Sequence, residues 1–418
     1  YRLRLRQATP PTADQAHKQV LPIPIRIGLR GPQGQRLPLN SDSPLLARPE
    51  LILLEDEHAE IEFTGLAQAP VPSFLHGFSA PVHLAFAHPA EALAVQALHE
   101  DDGYVRWQAV QRLMLDALSE RMDHAGDTQD TEDTGGGDDG PHQRILLQTL
   151  QTLAANPPED KALLAELLRL PEPAELSGQF EPLHPLRLAH ARAGLAQAIG
   201  LALTGPLSVW AAWAPEARAP GDTARRRLSS LALGYLVQTG SARVRDLALE
   251  RSGATCMSLV MGALRALRDC ESTQRDQAMD AFLARHRSDA LVLDKWFALQ
   301  SGAALPQPLE RVRALLEHPD YQPNPNRCRA VLGVFARDNL AGFHSQDGSG
   351  YRLLAGQVSK LDRGNPQLAA RLVEGLLGWR RMAAPFDQHM RTTLQDLHAQ
   401  GLSPDLREKV DKALQGAI

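Results

Sequence analysis

NPNRCRAVLGVF (Asn324–Phe335) and NPQLAARLVEGL (Asn365–Leu376) open alike, with asparagine followed by proline. An asparagine side chain accepts a hydrogen bond from the first helical turn, and proline at the next position gives up a donor that the helix does not need. An apolar stripe at helical spacing follows each start: Cys328, Val331, Leu332 and Phe335 in the first, Leu368, Leu372, Val373 and Leu376 in the second. The two starts lie 41 residues apart, inside the range of about 40–47 residues at which stacked helical pairs repeat. The architecture expected from this stretch is a curved, HEAT-like array of antiparallel helices.

Upstream the same texture reaches back to Pro89, as in Leu163, Leu164, Leu167 and Leu168. Before Pro89 it changes to short apolar or alternating runs cut by proline and glycine, which predict strands at Arg2–Arg6, Val20–Leu29, Leu51–Leu54, Ala59–Phe63, Phe74–Leu75 and Val82–Phe86. Six closely spaced strands suggest a small β-sandwich. The expected fold class is therefore mainly α with a small β domain: a β-sandwich over residues 1–88 and an α-helical superhelix over 89–418. Between the helices, GDTQDTEDTGGGDDG (Gly126–Gly140) is acidic, glycine-rich and without apolar residues, and predicts a flexible loop at 125–142 rather than a calcium loop, whose spacing and terminal Glu it lacks.

The chain of 418 residues carries 43% hydrophobic and 22% charged residues and a formal net charge of −5. Length predicts two or three domains with cores of their own. The mixed charge excludes a dedicated nucleic-acid binder, which needs a concentrated basic face; Arg225, Arg226 and Arg227 form the only dense basic spot and read as a solvated helix face. Cys256, Cys270 and Cys328 are far apart and form no C-x-x-C, which argues against a disulfide framework or thiolate zinc site and for a reducing, cytoplasmic compartment. The longest uncharged stretch, Ala198–Ala214, is interrupted by Gly205-Pro206 and is too short for a bilayer; it reads as two buried helix ends meeting at a turn, and no membrane is expected as a partner. Tyr1 opens directly onto the alternating run YRLRLR with no initiator Met, which suggests a piece of a longer chain.

Motifs for catalysis are missing. H-E-x-x-H, G-x-S-x-G, the P-loop and G-x-G-x-x-G after a strand do not occur, and Asp347-Gly348-Ser349-Gly350 lacks the following lysine of a phosphate loop and reads as a tight turn. The polar residues of the two Asn-Pro helices are the better candidates. Arg327 and Arg329 lie roughly 90–110° to either side of the packing stripe, and Gln367 and Arg371 share another face four residues apart. On one concave wall these arginines would offer fork-shaped donors for a carboxylate or peptide carbonyls. Surface or interhelical salt bridges are the competing reading.

The strings LVLDKWFALQ (Leu291–Gln300), PNPNRCRAVLGVFA (Pro323–Ala336), FHSQDGSGY (Phe343–Tyr351) and NPQLAARL (Asn365–Leu372) closely resemble the C-terminal region of the bacterial aminopeptidase N family, alanyl aminopeptidases among the gluzincin zinc metallopeptidases. Weaker likenesses are Tyr104-Val105-Arg106-Trp107, Leu170-Pro171-Glu172 and the opening YRLRLRQATPPTADQAHKQVLPIPI, so the resemblance runs nearly end to end. It implies an Ig-like β-sandwich lacking its first strand, then a helical superhelix, with the zinc-binding catalytic domain absent. The chain would hold no metal and be inactive alone, zinc belonging to the full-length enzyme. Its partners would be the missing N-terminal catalytic half and peptide substrates. The superhelix would enclose the active-site cavity and control access, with Arg329, Gln367 and Arg371 contacting the peptide tail. Asn324 and Arg327 would be structural or cavity-lining. Two departures stand out: Cys256-Met257-Ser258-Leu259 replaces the family's N-M-T-D, which predicts weaker capping, and the acidic loop is long. The rival reading is an independent α-solenoid interaction module.

Overall fold

The structure is a computed structural model that describes residues 1–12, 14–127, 140–213 and 222–415. It divides into two compact units, the first comprising residues 1–120 with 133–168 and the second 121–132 with 169–418. Strands end and helices begin between Phe74 and Ala90, so the unit border does not coincide with that change: the first helices belong with the strands.

Among the described residues of the first unit there are six strands: β1 (Arg2–Arg6), β2 (Ile23–Arg30), β3 (Leu46–Arg48), β4 (Leu51–Leu54), β5 (His58–Glu62) and β6 (Val71–Phe74). β1 pairs antiparallel with β5, and the other sheet has the order β3-β4-β2-β6. Alternation in β1 sends Leu3 into the core and Arg2 and Arg4 outward, where the register sets Arg2 opposite Glu62 and Arg4 opposite Glu60. The core holds Ile25, Ile27 and Leu29 of β2, Ile52 and Leu54 of β4, Ile61 of β5 and Phe74 of β6. Fully burying each such side chain contributes about 1.5–3 kcal/mol.

One strand expectation is corrected, and one observed strand had no expectation. Val82–Phe86 is not a strand: no neighbouring strand offers it a ladder, and Val82, Leu84 and Phe86 remain exposed. Phe86 instead packs its ring 5.1 Å from Phe74 and 4.5 Å from His88. β3 was not expected, because three residues are too few for a period of two to show. Of the loop expected at 125–142, residues 128–139 lie outside the described residues, while helices Gly103–Asp127 and Pro141–Ala155 flank it.

The second unit is helical, from Pro173–Leu176 to Pro404–Gln415. Helices Pro185–Ala202 and Thr204–Ala211 meet at 85° around Leu203, slightly before the Gly205-Pro206 pair that was expected to mark the turn. Among the described residues no single helix is long and apolar enough to cross a membrane. Later helices pack on their neighbours in turn: Ala290–Ser301 lies against the turn Arg329–Gly333, and that turn against Pro366–Leu372. Segments from both ends of the unit are also joined. Leu183 and Met382 form a parallel bridge, with Leu183 N–H donating to Arg381 O at 2.7 Å and Ala383 N–H to Leu183 O at 2.8 Å. The His184 ring stands edge-on to Phe386 at 5.2 Å beside it.

Candidate functional site

Both Asn-Pro starts cap their helices as their sequence predicts. Asn324 Oδ1 accepts from the backbone N–H groups of Asn326 and Arg327 at 3.0 Å each, and Asn365 Oδ1 accepts from that of Leu368 at 3.0 Å. The stripe residues Cys328, Val331, Leu332 and Phe335 are fully buried, as are Val373 and Leu376, with Leu368 and Leu372 nearly so. The first helix is not continuous. Pro325–Cys328 passes into one π turn, Arg329–Gly333, before Val334–Asp338, and local sequence gives no sign of it.

The two arginines of that helix have different surroundings. Arg327 is buried, its Nε 2.5 Å from Asp294 Oδ1, its Nη1 bonded to the Asp320 carbonyl, and its guanidinium carbon 4.4 Å from the centre of the Phe297 ring. The competing salt-bridge reading therefore describes Arg327, whose charge is matched by Asp294 on helix Ala290–Ser301. Arg329 is exposed and bonds Asn326 Oδ1, three residues before it. It borders an open depression of about 440 Å³, together with Leu291, Asp294, Lys295, Ala298 and Asn326.

Gln367 and Arg371 are both exposed on Pro366–Leu372, as their spacing suggests, and neither has a hydrogen-bond or ion-pair partner among the described residues. That helix packs on the π turn: a Cβ added at Gly333 would lie 3.7 Å from Leu372 Cδ2 and 3.8 Å from Arg329 Cβ. Arg329 and Arg371 thus stand on adjacent helices, and Arg329 and Lys295 share one depression. With Asp294 turned to Arg327, the cations of this surface outnumber its free carboxylates. Leu291, Lys295 and Ala298 were missed by sequence reasoning, although their spacing of i, i+4, i+7 within Leu291–Gln300 puts them on one helical face. Leu291 is 67% exposed, an apolar contact at the rim.

Such an arrangement can bind and orient a polar chain. It holds donors and an apolar edge, without a nucleophile beside a base. Among the described residues no group of three or more His, Cys, Asp or Glu side chains is placed to hold a metal ion.

Comparison with known proteins divides the chain where strands give way to helices, not at the border of the two compact units. Residues 1–87 match a domain of unknown function with an Ig-like fold (DUF3458). Aminopeptidase N of Haemophilus influenzae is 32% identical over 422 residues, covering 99% of this chain and 47% of the relative, and aminopeptidase N of Escherichia coli K12 is 32% identical with the same coverage. The chain therefore spans about half the length of these relatives. Among solved structures, Legionella pneumophila aminopeptidase A in complex with aspartic acid superposes with a TM-score of 0.79 at 25% identity, over 94% of this chain and 45% of that one. The chain is homologous to bacterial aminopeptidase N over 99% of its length, and it belongs to the ARM-repeat family of unknown function DUF3458_C, whose model matches residues 90–415.

Proposed function

We propose that the chain is the non-catalytic C-terminal half of a zinc-dependent aminopeptidase, and that it borders the peptide-binding cavity and contacts the peptide beyond its first residues. Homology to aminopeptidase N along almost the whole chain is the observation that carries the reading. The exposed donors Arg329, Gln367 and Arg371 on adjacent helices supply the contacts: a guanidinium fork can bond a carbonyl or carboxylate of the peptide tail without taking part in bond cleavage. In this reading zinc and its ligands lie in the catalytic half, which is the chain's partner, and the peptide is the substrate of the assembled enzyme. The three free cysteines suit a reducing compartment such as the cytoplasm.

The test uses the enzyme with both halves. Arg329→Ala or Arg371→Ala should raise KM for tripeptides several-fold and leave KM for a single-residue chromogenic substrate nearly unchanged, since only the longer substrate reaches these side chains. Equal effects on both substrates would overturn the contact. Zinc binding and chelator-sensitive release of amino acids by the 418-residue chain alone would overturn the assignment as the non-catalytic half.

A further inference from the structure

The stretch VPSFLHGFSAPVHLAFAHPA (Val71–Ala90) carries no Asp, Glu, Lys or Arg, in a chain of which 22% is charged. Its middle, Val82–Phe86, alternates as a strand does, yet lies on the surface of the first unit without a ladder. Val82 is 37% exposed, Leu84 39% and Phe86 40%. Among the described residues, the backbone N–H and C=O groups of His83–Phe86 have no hydrogen-bond partner.

The segment is nevertheless held in place. The Phe86 ring packs 5.1 Å from Phe74 of β6 and 4.5 Å from His88. At the other end Val82 N–H donates to Ala80 O at 3.0 Å, and Ala80 is buried. The turn leading into it is strained: Leu75 and Phe78 have φ of 60° and 53°, at about 1–3 kcal/mol for each such residue. That turn leaves Phe78 54% exposed, its ring edge-on to Tyr104 at 5.3 Å.

Exposed strand edges are normally blunted by charge or proline. β1 in the same unit is protected in this way: Arg2 and Arg4 face outward and pair with Glu60 at 3.1 and 2.8 Å. Val82–Phe86 has neither device, and an unprotected apolar edge is a template for another strand. Size decides which strand can use it. Five residues span roughly 17 Å, far short of supplying the ~800 Å² per partner that a stable complex of free chains buries. A segment tethered to the same polypeptide needs no such area, because the tether itself raises its effective concentration. The aminopeptidase N relatives hold such polypeptide, since this chain matches 47% of their length.

We propose that Val82–Phe86 is a docking strand, which pairs in the assembled enzyme with an extended apolar segment from the half of aminopeptidase N that this chain does not match; the same contact covers Phe78. The inference rests on the aminopeptidase reading and adds to it a surface at which the halves join. Hydrogen–deuterium exchange tests it on two samples, the 418-residue chain and the enzyme with both halves. His83–Phe86 should exchange near intrinsic rates in the chain alone and on the order of 100-fold more slowly in the enzyme. Leu84→Lys changes an exposed side chain, so it should leave the unfolding midpoint of the chain alone unchanged, while speeding exchange of His83–Phe86 in the enzyme by about 10-fold. Fast exchange of this segment in an enzyme with zinc-dependent peptidase activity would overturn the docking strand and leave the aminopeptidase reading standing. Slow exchange in an assembly without that activity would keep the docking strand and overturn the reading. Protection in the 418-residue chain that grows with its concentration would make the occupant a second copy, against the proposal.

Discussion

Arg327 and Arg329 are two residues apart and look interchangeable in sequence, yet they face opposite energetic problems. A guanidinium removed from water must be matched, and Arg327 is matched by Asp294 from a position 33 residues upstream and by the face of Phe297. Removing one partner strands the other. Arg327→Gln should therefore destabilise by about 3 kcal/mol, whereas Arg329→Gln should stay within about 0.5 kcal/mol, measured by denaturant unfolding of the two variants. Similar losses for both would show that Arg329 is not free. Helical periodicity located both arginines beside the packing stripe, and no more could be read there. The acceptor that decides their roles lies on another helix, and a one-dimensional pattern carries no information about it.

Elements that announce their own ends were the legible ones. β1 and β4 have the expected bounds, and both Asn-Pro helices start at the expected residue, because alternation and caps are local signals. Val82–Phe86 shows the converse: it alternates as a strand should, but a strand exists only where a neighbour completes its hydrogen bonds. Capping also yields a prediction. Cys256 occupies the N-cap of Met257–Leu267 with extended backbone (φ −81°, ψ 111°) and makes no side-chain cap bond, as the departure from N-M-T-D led one to expect. Asparagine fits that backbone and supplies an acceptor. Cys256→Asn should stabilise this helix by about 1 kcal/mol, visible as a higher midpoint in thermal unfolding, and a lower midpoint would mean that the thiol is held by packing instead.

At the scale of the molecule, both units rest on local rules for their core and on distant pairs for their closure. His344 belongs to the second kind of problem. It is buried, with Nδ1 2.8 Å from the Tyr351 hydroxyl, and burial pushes its pKa down to about 3 from an ordinary 6.5. Between those values the unfolded chain binds a proton that the folded chain does not, so stability is complete above pH 6.5 and falls as pH drops through that window. At pH 5 the loss from this residue is about 2 kcal/mol. Amide exchange in helix Ser349–Asp362 should accelerate accordingly between pH 7 and 5 after correction for intrinsic rates, and His344→Phe should flatten the dependence. A wild-type profile already flat would show that the ring reaches solvent. The bridge at Leu183 and Met382 sets a different kind of limit, one of time. The chain around it is joined again where Arg381 donates to Ser177 O, 204 residues earlier. On a ribosome adding about 5–20 residues per second, the Ser177–His184 segment would wait roughly 10–40 s for its partner to emerge. Until then the Leu183 N–H and the edge of the His184 ring have only water or a chaperone to meet, so the second unit completes its fold after its last helices are made.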